Sequence, residues 1–151
     1  MSNFLTNDRI WIGGHVSIDP SAAIAPGVLL QADPDGQILI GAGVCLGMGV
    51  VIHAVGGTIS IGAGANLGAG VLVYGSLNIG NHACIGTAAS VINHTVAQGE
   101  IVPPGALLHS SNPATPQETP TPKQADKLRM HAQVHLQQFL GKIFVSSRDL
   151  P

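Results

Sequence analysis

Aliphatic residues recur every six positions along most of this 151-residue chain, in four runs. They are Ile12, Ile18, Ile24 and Leu30; Ile40, Leu46 and Ile52; Ile61, Leu67, Val73, Ile79, Ile85 and Val91; and Val96, Val102 and Leu108. Glycine follows the anchor at Gly13, Gly41, Gly47, Gly62, Gly68, Gly80 and Gly86. Four residues after an anchor stands a second small or branched residue, as at Val28, Val44, Val50, Ala65, Val71, Ala83 and Ala89. A period of six fits neither the 3.6 of a helix nor the simple alternation of an isolated strand. It predicts an all-β parallel β-helix, in which each hexad is a short strand and a turn and three hexads close one triangular coil. Sixteen anchors make about five coils over residues 12–108. The anchor points inward with the small residue beside it, and glycine suits a turn where a Cβ would clash or φ is unusual.

Counting anchors in threes places Ile12, Leu30, Ile52, Val73, Val91 and Leu108 in one corner column. Two insertions break the period, ADPDGQ after Leu30 and HAVGGT after Ile52, and both fall on that column. The loops therefore gather at one corner. Gln31, His53 and Tyr74, each following an anchor of the column, should stack one coil apart, about 4.8 Å per step.

The repeat ends at Leu108. Residues 109–123 read as a Ser/Thr/Pro-rich linker and residues 1–11 as a lead-in. Within the C-terminal segment 124–151, residues 124–145 carry an apolar stripe at helical spacing, Leu128, Ala132, Leu136, Phe139, Leu140 and Ile143, flanked by Val134 and Phe144. A helix this short is marginal alone in water, so its apolar face needs a surface, either the chain's own β-helix or another protein.

Composition narrows the function. Only 9% of residues are charged and 3% aromatic, yet 45% are hydrophobic, which excludes intrinsic disorder. No apolar stretch reaches membrane-spanning length, and MSNFLTNDRIW lacks the layout of a secretory signal. No lysine or arginine lies between Arg9 and Lys123, a window with net charge −5, whereas residues 123–151 carry +3. Such a body cannot gather phosphates, so nucleic-acid binding is not expected. Cys45 and Cys84 suggest a reducing cytosol and are expected to be small buried hydrophobes.

The hexads resemble the left-handed hexapeptide-repeat proteins, and that resemblance, against the usual right-handed crossover, implies a left-handed β-helix. Its enzymes are acyltransferases and γ-class carbonic anhydrases. The segment QADPDGQILIGAGVCLGMGVVIHAVGG is similar to the γ-carbonic anhydrase stretch that runs from Arg-x-Asp to a zinc-ligand histidine. By that resemblance His53 falls on the first ligand position and Asp33 on the acidic residue. The arginine is Gln31, the Gln-Asp pair is Gly47-Met48, and the second and third ligands are Ala69 and Tyr74. Zinc catalysis needs three protein ligands and an open position, so neither metal nor other cofactor is expected. In that family the metal is shared between subunits, which implies a defective site at any interface this chain joins. An acyltransferase needs a histidine base and a phosphate grip. His15, His53, His82, His94 and His109 have no acidic partner at fixed spacing and are expected to be turn residues. His131 and His135 belong to the polar side of the tail.

The whole layout, with APGVLLQAD, GVCLGMGVVIHAVGGTISI, HACIGTAASVINHTVAQGEIVPPGALL and the tail VHLQQFLGKIF, resembles the CcmN family of carboxysome assembly proteins. The resemblance implies a non-catalytic adaptor inside the β-carboxysome, in the cytoplasm. Its β-helix would join the carbonic-anhydrase-like domain of CcmM in a mixed trimer, using the corner of Gln31, Asp33, His53, Ala69 and Tyr74. Its tail would dock a hexameric shell protein through Val134, Phe139, Leu140, Ile143 and Phe144, linking Rubisco cargo to the inner side of the shell. The ending SSRDLP departs from the aromatic-proline-basic ending of such tails.

Overall fold

A computed structural model describes residues 10–110 and Met130. The chain divides into two compact units, Met1–Pro116 and Gln117–Pro151. The first is a parallel β-solenoid of about five coils, with no helix among its described residues. Of the second only Met130 is described, exposed and in helical conformation, so the tail helix and its candidate contacts at Val134, Phe139, Leu140, Ile143 and Phe144 lie outside the described residues. Among the described residues no helix is long and apolar enough to cross a membrane.

Among the described residues thirteen strands run in chain order. The first face stacks β1 (Trp11–Gly13), β4 (Leu29–Ala32), the start of β7 (Val51–Ile61), the start of β9 (Leu72–Ile79), β11 (Ser90–Ile92) and β13 (Leu107–His109). The second stacks β2 (Val16–Ile18), β5 (Gln37–Ile40) and the far ends of β7 and β9, continued by a bridge from Ile79 to Val96. The third stacks β3 (Ala23–Ile24), β6 (Cys45–Leu46), β8 (Asn66–Leu67), β10 (Cys84–Ile85) and β12 (Ile101–Val102). Every pairing is parallel and joins one coil to the next.

The expected corner column is present residue for residue: Ile12 pairs Leu30, Leu30 pairs Ile52, Ile52 pairs Val73, Val73 pairs Val91, and Val91 pairs Leu108. Anchors and second residues together form the core, with Leu30, Ile52, Val73 and Val91 and also Val28, Val50, Val71 and Ala89 fully or almost fully buried. Ile12 is the exception, 47% exposed because its coil has no neighbour on one side among the described residues. Backbone groups are satisfied from coil to coil: Leu29 N donates to Val50 O, Val51 N to Val71 O, Leu72 N to Ala89 O and Ser90 N to Ala106 O, at 2.8–3.0 Å.

The glycine after the anchor has one physical reason, not two. A Cβ on Gly68 would lie 2.8 Å from Thr87 N on the next coil, so contact between coils demands glycine there. Left-handed φ falls instead three residues after the anchor, as at Gly70, and there His82 and Ala88 take the same conformation without being glycine. The cysteine expectation fails. Cys45 and Cys84 each precede an inward anchor, so alternation turns both outward on the third face, where they are exposed.

Candidate functional site

The corner between the first and second faces carries the residues that the carbonic-anhydrase resemblance singles out. Gln31 pairs in register with His53, and His53 with Tyr74, because each follows an anchor of the same column. The inserted residues let the chain turn tightly after β4. Asp33 N donates to Ala54 O at 3.0 Å, and Gly36 N closes the turn on Asp33 O at 2.8 Å. Asp33, two residues beyond Gln31, lies on the same side of the strand as Gln31, diagonal to His53 on the next coil. Its Oδ1 sits 2.9 Å from His53 Nε2.

His53 is therefore not the turn residue expected from the sequence. It lies within β7 and is only 4% exposed. It also has an acidic partner, Asp33, twenty residues back on the preceding coil, beyond any short fixed spacing. The signal was available in the column arithmetic: a carboxylate two positions after the residue stacked on a histidine points to the same side. An ionised carboxylate only accepts hydrogen bonds, so the pair assigns the proton to Nε2. Coordination through Nε2 would require that proton to leave and the pair to break.

Tyr74 completes the cluster. Its ring meets the His53 ring edge-on, with centroids 5.5 Å apart and planes at 85°, a geometry worth about 0.5–1.5 kcal/mol for an aromatic pair. Burial pushes the phenol above its ordinary value of 10.0, and the Asp33 charge adds to the rise. Gln31, half-buried, donates from Nε2 to Ala32 O at 3.2 Å and brings no charge where the resemblance has arginine.

Ala69 does not join this corner. It is exposed on the turn between β8 and β9, at the other end of the first face. Five residues of extended chain separate it from Tyr74, up to roughly 16 Å. Gly47 and Met48 occupy the equivalent turn one coil earlier, with Met48 63% exposed. Among the described residues no three of His, Cys, Asp and Glu gather as a metal site. The donors at the corner are one imidazole already engaged by one carboxylate, and a phenol held neutral. They do not fit a three-ligand zinc site.

The remaining histidines are scattered. His15 and His82 are exposed between strands. His94 places Nδ1 3.0 Å from Ser110 Oγ, a pairing that nothing in the repeat signals. His109 pairs with Ile92 in β13 and is half-buried, a strand residue, not the expected turn residue. His131 and His135 lie outside the described residues.

No family model matches the chain. The carboxysome assembly protein CcmN of Synechococcus elongatus is 42% identical over 109 residues, covering 72% of this chain and 68% of that relative. The chain belongs to the CcmN family. A second family member, from Synechocystis sp., is 43% identical over 98 residues, which cover 65% of this chain and 41% of that relative. Among solved structures, a chain of the crystal structure of the CcmM N-terminal domain in complex with CcmN superposes with a TM-score of 0.68. It is 46% identical and covers 69% of this chain and 100% of that chain. Membership of the CcmN family places the chain among carboxysome assembly proteins.

Proposed function

We propose that the chain is a non-catalytic adaptor of the β-carboxysome. Its solenoid binds the carbonic-anhydrase-like N-terminal domain of CcmM in a mixed trimer, and its segment 124–151 docks on a hexameric shell protein. Rubisco gathered by CcmM is thereby tied to the inner side of the shell. The observations that carry the first half are the 42% identity to a CcmN relative and the 46% identity to a chain of the crystal structure of the CcmM N-terminal domain in complex with CcmN, across the whole of that chain. The chemistry of the corner supports the absence of catalysis: one imidazole paired to Asp33 offers neither three ligands nor an open position for an acidic water.

The second half rests on the apolar stripe of the tail. Burying side chains such as Phe139, Leu140, Ile143 and Phe144 stabilises docking by about 1.5–3 kcal/mol each. Ordering the segment and losing free motion offset much of that, so single contacts are weak and many tails per assembly supply the strength. Removing residues 124–151 is expected to leave the solenoid soluble and bound to CcmM while abolishing shell recruitment. Shell recruitment unchanged by the deletion refutes the tail's role.

The proposal extends to the metal. Whether this chain supplies His53 or the position of Ala69 to a shared interface, that interface is short of one ligand. Mixed assemblies should therefore hold less zinc per interface than assemblies of a competent partner alone. Full zinc occupancy at every interface, measured by elemental analysis, contradicts this.

A further inference from the structure

The three faces of the solenoid differ on their outer sides. On the first, the outward side chains Leu29, His53, Ser90 and Ile92 are buried within the chain. On the second, the outward column is Ser17, Leu39, Ser60 and Asn78, mostly polar. On the third, it reads Ala23, Cys45, Asn66, Cys84 and Ile101, in continuous parallel register. All five are exposed and none is charged. Glu100, the neighbour of Ile101, turns its carboxylate back to accept from Ala97 N at 2.7 Å. Ile101, 77% exposed, is the most exposed large apolar side chain among the described residues. The column reads almost alike from either end. A cysteine stands on each side of a central asparagine, and the ends are apolar, the smallest residue at one and the largest at the other.

We propose that the third face pairs with the third face of a second copy of this chain, about a two-fold axis that runs along the strands through the Asn66 rung, with the two solenoids antiparallel. The inference goes beyond the adaptor reading, and its column contains none of His53, Tyr74 and Ala69, which that reading places at the CcmM boundary. A two-fold contact sets residue i of one copy against residue j of the other, and j against i. Ile101 then meets the second copy's Ala23, Cys84 meets Cys45, and Asn66 meets Asn66, whose amide both donates and accepts. Large faces small and middle faces middle, so the gap between the sheets stays even at about 10 Å. An axis along the solenoid instead sets Ile101 on Ile101 and Ala23 on Ala23, crowding one end and leaving a void at the other, against the close packing of interfaces. No charge on the face has to be desolvated. Five rungs at about 4.8 Å, crossed by roughly 20 Å of chain, project roughly 500 Å². With the flanking turns this approaches the ~800 Å² of accessible surface that each partner contributes to a standard interface. A pair carries two copies of segment 124–151, which strengthens the docking that the adaptor reading gives to that segment.

The face carries its own reporters. Cys45 and Cys84 are the only cysteines of the chain. They lie two rungs apart with Asn66 between them, about 9–10 Å along the column. In the antiparallel pair unlike thiols face each other, whereas like thiols are displaced by that same distance. The test uses the full chain as Cys45→Ser and as Cys84→Ser, each alone and the two mixed, treated with the short thiol crosslinker dibromobimane and read on a denaturing gel. The mixture is expected to give at least tenfold more covalent dimer than either variant alone. Sedimentation of the unmodified chain should show a dimer that grows with concentration in the micromolar range, the weak end for an interface of this size. Ile101→Lys and Asn66→Asp, the second setting two carboxylates against each other on the axis, should each abolish the dimer without moving the melting curve. Leu39→Lys on the second face should leave it intact.

A chain that stays monomeric throughout the micromolar range overturns the proposal. Crosslinking of either variant with itself as fast as in the mixture overturns the antiparallel pairing. A dimer that survives both Ile101→Lys and Asn66→Asp overturns the choice of face. CcmM is absent from every sample, so these failures leave the adaptor reading standing, and loss of CcmM binding leaves the pairing standing.

Discussion

Gly68 and Gly70 sit two residues apart in one turn and are glycine for different reasons. Alanine at 68 would drive a Cβ to 2.8 Å from Thr87 N and 3.0 Å from Thr87 Cα, both backbone atoms of the next coil. Alanine at 70 meets nothing within 4 Å but must hold φ at +70°. Gly70→Ala should cost about 1–2 kcal/mol from left-handed strain alone. Gly68→Ala should cost more, of the order of the 1–3 kcal/mol of overpacking and beyond, because coils must separate. Urea unfolding of the two variants orders the costs, and equal losses would contradict the assignment. Tyr74 is the single tyrosine of the chain, so its ionisation can be followed by ultraviolet absorbance without ambiguity. Its midpoint should lie above 10.0 in the folded protein and fall in Asp33→Asn, which removes the smaller of the two causes. A native midpoint at or below 10.0 contradicts the burial of the phenol. Because the folded value is raised, the stabilisation is complete below pH 10.0 and is lost as pH climbs through the folded value.

The strands are the most legible elements, since an anchor and a second small or branched residue four positions on fill the narrow interior once per hexad, and their spacing announces the register. The corner loops were legible too, because inserted length has to leave the prism wherever the count breaks. What escaped was the outward side of each strand. Cys45 and Cys84 are apolar enough to pass for core, and only their place before the anchor distinguishes them. The Asp33–His53 pair escaped because it joins coils twenty residues apart through side-chain reach, which a fixed-spacing search does not see. Two predictions belong to this scale. Ile52 is fully buried in the longest strand, β7, and Ile52→Ala should cost about 2–5 kcal/mol, read as a lowered urea midpoint. In the turn between β2 and β3, Asp19 Oδ1 accepts from Ser21 Oγ at 2.6 Å and from Ser21 N at 2.9 Å, and Ser21 Oγ accepts from Gly43 N on the next coil. These bonds hold the Asp19 carboxyl below its ordinary 3.8. Asp19→Asn should be less stable than the wild type at neutral pH, with the gap closing as pH falls below 3.8. A gap that persists in acid contradicts the role of the carboxylate.

At the scale of the whole molecule, charge is divided as structure is. The solenoid from residue 10 to 110 holds four carboxylates and no lysine or arginine, while five of the chain's six basic residues lie in residues 123–151. A body free of cations has little to hold an anionic substrate but brings little desolvation cost to a protein interface. Membership of the CcmN family agrees with that division, and the adaptor proposal assigns one partner to each part. The direct test is co-purification of the full chain, and of the chain lacking 124–151, with the CcmM N-terminal domain and with a shell hexamer. The full chain should retain both partners, and the truncated chain should retain CcmM alone. Loss of CcmM on truncation, or shell binding that survives it, would contradict the division of labour on which the adaptor rests.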